Sequence, residues 1–222
     1  MDNIEKLKLV MWDLDGTILD SRKQHFESSK MVLRDHGFEL SEDFLKTFYG
    51  QTANHIFGEI LGDAVSTDQF IQIIEERDIA YRKLISQDAE FLPGVQQWLE
   101  KFHQLGIPQV IVSSTALENI LTIVKVLNAE KYFARIFSGE NLPSKPDPEV
   151  FLLAMSKFDL GPEACLVFED SPHGIQAAKS IGIRCISAAI TFPAKQLSGA
   201  DLVVENLAML QLGDIGRLFA IG

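Results

Sequence analysis

A chain of 222 residues is long enough for one α/β domain carrying an insertion. Hydrophobic residues make up 46% of it and charged residues 23%, which excludes disorder and low complexity as the main theme. With 20 Lys/Arg against 31 Asp/Glu the formal net charge is −11, so electrostatics give it no reason to bind nucleic acid or an anionic membrane. No apolar run approaches the ~20 residues that a membrane span needs, and Met1 to Lys6 is mixed in charge, without a secretory apolar stretch. A cytoplasmic location is expected. Cys165 and Cys185 each sit inside an apolar run and read as small buried hydrophobes.

In chain order, Leu7 to Trp12 reads as a buried strand that runs straight into Asp13-Leu14-Asp15-Gly16-Thr17. Residues 20–88 contain no convincing strand. They read as helices over about 22–36, 41–49, 52–61 and 67–86, the first three closed by Gly37, Gly50 and Gly62, with Ser41 and Thr67 as starts. Pro93-Gly94 marks the return to alternation. A helix over 94–105 precedes a strand over Pro108 to Val112, and a helix over 116–127 follows it. A helix over 148–158 leads to a strand over Cys165 to Phe168, then a helix over 172–181 closed by Gly182. Further strands are expected at Arg184 to Ser187 and Asp201 to Val204. Strand and helix in alternation predict a parallel sheet with right-handed crossovers. The fold class is therefore α/β: a Rossmann-like core of residues 1–19 and 89–222, with an all-helical cap, residues 20–88, inserted after the first strand.

Acids and hydroxyls recur where these strands end. Asp13 and Asp15 follow the first, Ser113 and Ser114 the second, Glu169 and Asp170 the third. The carboxyl ends of neighbouring parallel strands converge on one crevice, where ligands bind. Four carboxylates gathered there repel one another unless a cation sits among them, and oxygen ligands with open water positions suit Mg²⁺. Lys145, fixed between Ser144 and Pro146-Asp147-Pro148, would pair with the carboxylates and face a phosphate. Ser113 supplies a hydroxyl, and the backbone N–H groups of Leu14, Asp15 and Ser114 lie at turns that can cradle an anion. Each feature has a plain alternative: a capped turn at 13–17, a helix cap at Ser113, a solvated Lys145, a helix-dipole partner in Glu169-Asp170. Together those alternatives leave the convergence unexplained.

Asp13-x-Asp15-Gly16-Thr17, then Ser113, then Lys145-Pro146, then Glu169-Asp170-Ser171 with Gly174 and Ala177-Ala178 resemble, in order, the four motifs of the haloacid dehalogenase superfamily. The run from Phe168 to Ala178 is similar to the branch of β-phosphoglucomutases and phosphoglycolate phosphatases. The resemblance implies phosphoryl transfer through an aspartyl-phosphate. Asp13 would be the nucleophile, and Asp15 the acid that protonates the leaving alkoxide and then the base that activates water. Mg²⁺ would be held by Asp13, the Asp15 carbonyl and Asp170, with Glu169 one step further out. Asp15 and Glu169-Asp170 argue for phosphate-ester chemistry over the dehalogenase and phosphonatase branches, which lack the Asp at position 15.

By the same resemblance, His25 stands where the mutases carry a histidine near the hinge, and Gly50 matches a cap glycine. Tyr49 and Ala53 stand where they carry a lysine and an arginine for a second phosphate. Residues 18–90 hold eight Lys/Arg against fourteen Asp/Glu, so the cap is no basic clamp. Arg77 touches substrate, or else lies on a solvated face beside Glu75, Glu76 and Asp78. The expected function is a Mg²⁺-dependent phosphatase of a small phosphorylated metabolite, such as a sugar phosphate or a phosphoglycolate-like ester. It would act as a monomer or weak dimer. The alternatives are a sugar-phosphate mutase and a catalytically idle binding protein of the same fold.

Overall fold

Short, largely apolar stretches become strands because helices cover both faces of the sheet they form. The structure, a computed structural model, describes residues 4–41, 43 and 52–220. Among these residues the strands are β1 (Leu9–Trp12), β2 (Gln109–Ser113), β3 (Arg135–Ser138), β4 (Cys165–Glu169), β5 (Arg184–Ala188) and β6 (Leu202–Val204). They form one parallel sheet in the order β3-β2-β1-β4-β5-β6. β1 is central, and the chain builds outward from it in both directions, so the switch in strand order falls at its end. That is where a ligand crevice opens in such sheets.

The two-residue alternation of side chains divides the interior. Val10 and Trp12 enter one apolar cluster with Ile111 and Phe168, while Leu9 and Met11 enter another with Val110 and Val167. Helices α4 (Val95–Gln104), α5 (Leu117–Val126) and α8 (Leu212–Ala220) cover the first face, and α6 (Glu149–Ser156) and α7 (Pro172–Ser180) the second. The first face is aromatic: Trp12 stacks on Phe168 at 4.2 Å, and Phe102 meets Trp12 edge-on at 6.3 Å and Trp98 at 5.4 Å. The indole N–H of Trp12 donates to Gln109 Oε1 at 3.0 Å, and Gln109 in turn donates to the Leu99 carbonyl at 2.9 Å, so the buried amide is satisfied.

Helices α1 (Arg22–Asp35), α2 (Ala53–Leu61) and α3 (Thr67–Ile85) lie between β1 and α4 in the chain. They share a separate apolar cluster of Val32, Leu33, Phe57, Leu61, Ile73 and Ala80. Ser66, one residue before the expected start, caps α3 through a reciprocal capping box with Gln69. The two segments that join these helices to the sheet run side by side, with Leu19 bridging to Phe91 and the Leu92 N–H donating to the Ile18 carbonyl at 2.9 Å. The C-terminal end of α3 reaches the sheet cluster through Tyr81 and Ile85. Of the helix expected over 41–49 only residues 41 and 43 are described; the rest, with Tyr49 and Gly50, lies outside the described residues.

Two elements were not expected from the sequence. β3 is an edge strand with partly exposed residues, so it carries no apolar run to announce it. α8 holds Gly213 and Gly216 within nine residues, which weakens its helical signal, yet it buries Ile215 and Phe219 completely.

The aromatic face sets a stability expectation. Phe102→Ala should cost about 3–5 kcal/mol, read from urea denaturation, because the ring is fully buried among rigid partners. A loss below about 1 kcal/mol would show that the face collapses to fill the space.

Candidate active site

Strand register sets which residues meet. Trp12 lies opposite Ile111 on one side and Phe168 on the other, and the Asp13 N–H continues the ladder by donating to the Phe168 carbonyl at 2.9 Å. Asp13, Ser113 and Glu169-Asp170 therefore leave three adjacent strands side by side. A cavity opens at these strand ends. Asp13, Asp15, Ser113, Ser114 and Asp170 form its floor, and Ser29, Ala53, Ile56, Phe57 and Arg77 close it from the helical insertion.

Lys145 enters this group from the loop after β3, with its side chain 1% exposed. Its ammonium donates to Asp13 Oδ1 at 2.7 Å and Glu169 Oε1 at 2.6 Å. The solvated alternative for Lys145 is thereby removed. Glu169 Oε2 accepts from the Asp170 N–H at 2.9 Å, the Ser171 N–H at 2.9 Å and Ser171 Oγ at 3.0 Å. Ser171 also caps α7 by accepting from the Gly174 N–H at 3.0 Å. Gly174 has to lack a side chain: a Cβ there would lie 1.7 Å from Glu169 Oε1.

Asp13, Glu169 and Asp170 offer carboxylate oxygens all within 4.8 Å of one another, all buried. Three carboxylates against one ammonium leave an excess of negative charge. Burial pushes the Asp13 carboxyl up to about 8, against the pull of Lys145 and with a further push from Glu169. Burial, then Glu169 and Asp13, push Asp170 well above the carboxylate range. A group of oxygens that resists full ionisation in this way fits a divalent cation with oxygen preference. Gly16, at φ +90°, brings the backbone close to this corner, where a Cβ would stand 1.9 Å from Asp170 Oδ2. Glu169 has both oxygens engaged by donors, so Asp13 and Asp170 are the carboxylates best placed to ligate.

The Asp15 side chain turns to a different set of partners. Oδ1 accepts from Ser21 Oγ at 2.5 Å and Tyr81 OH at 3.2 Å, and lies 3.0 Å from His25 Nε2, while Oδ2 accepts from Thr115 Oγ1. Burial alone would raise its pKa. The neighbouring His25 and the hydrogen bonds from His25, Ser21 and Thr115 outweigh that and hold the carboxyl well below the usual carboxylate range. His25 also stacks on Tyr81 at 4.4 Å.

The residues expected from the sequence are thus brought to one place, with distinctions. Leu14 is fully buried, so only its backbone can serve the cavity. Ser113 Oγ accepts from the Thr115 N–H at 3.1 Å, which leaves its hydroxyl hydrogen to donate. Arg77 is 5% exposed, which corrects the solvated-face alternative: Asp78 accepts from it at 2.7 Å, while Glu76 pairs with His36 instead. Ser21, Thr115 and Tyr81 were not singled out. Thr115 follows Ser113-Ser114 directly and could have been read as part of that turn, whereas Tyr81 carries no local signal.

The profile of the haloacid dehalogenase-like hydrolase family matches residues 10–188. A phosphorylated carbohydrates phosphatase from Thermotoga maritima is 31% identical over 185 residues, covering 81% of this chain and 84% of its own. A validoxylamine A 7'-phosphate phosphatase from Streptomyces hygroscopicus is 27% identical, covering 94% of this chain and 98% of its own. In fold, the chain is similar to a β-phosphoglucomutase from Clostridium difficile, with a TM-score of 0.87, 23% identity and coverage of 96% and 97%.

The acid cluster predicts a pH dependence whose sign follows from its carboxyls. A carboxyl raised from 3.8 to about 8 keeps a proton in the folded state that the unfolded chain has released, so its stabilisation is present at low pH and is lost as pH rises through the folded value. With divalent cations chelated, the urea midpoint should fall between about pH 5 and about pH 8, and a saturating divalent cation should flatten the slope. Equal midpoints at both pH values in chelator would contradict the electrostatic picture of this cluster.

Proposed function

The chain belongs to the haloacid dehalogenase-like hydrolases, and on that footing we propose that it is a Mg²⁺-dependent phosphatase of a small phosphomonoester, working through an aspartyl-phosphate on Asp13. The observation that carries the reading is the pairing of Asp13, on the floor of a cavity that Asp15 also lines, with a fully enclosed Lys145 behind it. Phosphoryl transfer asks for positioned positive charge, a nucleophile in line and a nearby acid–base group, and these residue types answer each need.

In this reading a carboxylate oxygen of Asp13 attacks phosphorus and the ester oxygen departs, taking a proton from Asp15. Asp15 then accepts a proton from the water that attacks the aspartyl-phosphate, and inorganic phosphate leaves with Asp13 restored. Lys145 and the Ser113 hydroxyl balance the phosphate oxygens, with the backbone N–H groups of Leu14 and Ser114. Asp13, the Asp15 carbonyl and Asp170 would hold Mg²⁺, which when bound supplies charge neutralisation at the phosphoryl group. Glu169 orients Lys145.

The chain divides, in this proposal, into a core of residues 1–19 and 89–222 and a cap of residues 20–88 that excludes water and reads the leaving group. Ala53, Ile56 and Phe57 present the cavity with an apolar wall. A second phosphate would find alanine at position 53 and, in Arg77, a guanidinium already engaged by Asp78 and His25, and a dianion buried without a partner of its own is costly. Hydrolysis is therefore preferred to mutase chemistry. The relatives named as phosphatases of phosphorylated carbohydrates and of validoxylamine A 7'-phosphate support a sugar-like phosphomonoester as substrate.

The test is turnover of p-nitrophenyl phosphate and a panel of sugar phosphates with Mg²⁺ and with chelator. Activity should require Mg²⁺. Asp13→Asn should abolish it with an unchanged circular dichroism spectrum, and Asp15→Asn should lower kcat/KM for an alkyl phosphate by about 10²–10⁴-fold. Full activity in chelator, or in Asp13→Asn, would defeat the reading.

A further inference from the structure

Asn119, in the first turn of α5, is fully buried. A buried amide must find partners for both its ends. Both partners come from α3, across the face where the helical insertion meets the sheet layer. Asn119 Oδ1 accepts from Arg82 Nη1 at 2.8 Å, and Asn119 Nδ2 donates to Asp78 Oδ1 at 2.9 Å. The direction of the amide follows from its neighbours, since a guanidinium can only donate and a carboxylate can only accept.

The same Asp78 oxygen accepts from Arg77 Nη1 at 2.7 Å. The other terminal nitrogen of Arg77 meets His25 Nδ1, and His25 Nε2 lies 3.0 Å from Asp15 Oδ1. A continuous chain of polar contacts therefore runs from a core helix to the Asp15 carboxylate. Arg77 and Asp78 have side chains only 6% and 13% exposed, so solvent screens little of it. The cavity beneath measures about 80 Å³, smaller than the roughly 150 Å³ that admits a benzene. Admission of a sugar phosphate by withdrawal of the insertion would part the contacts between α3 and α5 and re-form them on closing.

We propose that Asn119 is a positioning residue: from the core it fixes Asp78 and Arg82, and so seats Arg77 and His25 against Asp15 when α3 settles on α5. The inference rests on the reading of Asp15 as the acid–base group. It assigns the geometry of that group to a side chain that touches neither substrate nor metal. Ordinary structural glue would make a different prediction, because its loss would affect all substrates alike.

The test compares Asn119→Leu, Asn119→Asp and the swap Asn119→Asp with Asp78→Asn. The swap reverses donor and acceptor: the new carboxylate accepts from Arg82 and from the new amide, whose oxygen still accepts from Arg77. Amide hydrogen exchange is followed in α3 and in β1 and β4, and kcat/KM is measured with Mg²⁺ for β-glycerol phosphate and p-nitrophenyl phosphate. In Asn119→Leu, exchange in α3 should rise about tenfold with the strands unchanged. The kcat/KM for glycerol phosphate, whose alkoxide needs a proton, should fall about tenfold, and that for the nitrophenyl ester less than about threefold. Asn119→Asp should be at least as impaired, and the swap should return α3 exchange to within about threefold of wild type. Unchanged exchange in α3, equal losses on both esters, or a swap no better than Asn119→Asp would each overturn the proposal. A wild-type protein that hydrolyses neither ester would instead count against the phosphatase reading, and the exchange measurements, which need no turnover, would still decide whether Asn119 seats α3.

Discussion

One buried ammonium makes the centre of this fold possible. β1 and β4 pair in register, and their next residues are acidic, so the sheet would set Asp13 beside Glu169 and Asp170 in a place that water barely reaches. Lys145 lies within 2.7 Å of both Asp13 and Glu169, and its own ionisation is reinforced by them despite its burial. A buried pair of this kind contributes little net stability, but removing one partner leaves an uncompensated charge. The placement of the loop that carries Lys145, the close packing of Gly174 on Glu169 and the cap of α7 by Ser171 follow from holding those two carboxylates still.

Asp15 answers to a different constraint. Its four partners come from four parts of the chain: Ser21 from the connection after β1, His25 from α1, Tyr81 from α3 and Thr115 from the turn after β2. No single element determines its environment. The position of the helical insertion is therefore felt directly at this carboxylate, which links packing between the two parts of the molecule to the chemistry proposed at their junction. Thr52 adds a second tie on the other side, where its hydroxyl lies 3.0 Å from that of Ser144, the residue next to Lys145.

What could be read from the sequence divides along the same line. The floor of the cavity and the lysine beneath it were legible, because Asp13, Ser113 and Asp170 end or follow strands and Lys145 sits between prolines, and so advertise their places locally. The roof was not. Arg77 sits among Glu75, Glu76 and Asp78 and looks like a solvated helix face, and only the packing of α3 on α1 reveals that it is enclosed while Glu76 turns to His36. Tyr81 and Asn119 carry no motif at all; their roles arise from contacts 66 and 41 residues away in the chain. β3 was missed for a related reason, since an edge strand half open to solvent lacks the continuous apolar run that marks β1 or β4.

The two aspartates of the first motif show how environment, not residue type, separates roles. Burial raises the Asp13 carboxyl, while His25 and the hydroxyls of Ser21 and Thr115 hold Asp15 ionised. For the proposed chemistry both tendencies must be reversed: the nucleophile has to be ionised and the acid has to carry a proton. Asp13 and Asp170 would hold a cation whose charge would lower the first, because opposite charge favours the carboxylate form. Asp15 takes its donors from the roof as well as from the strand ends, so in this proposal its protonation would follow how α3 is seated. In the proposed chemistry the acid–base group would thus be set by where the insertion stands, and the nucleophile by what the acid cluster binds. Two carboxylates separated by one residue can then be switched independently, because one takes its partners from the strand ends and the other from the roof as well.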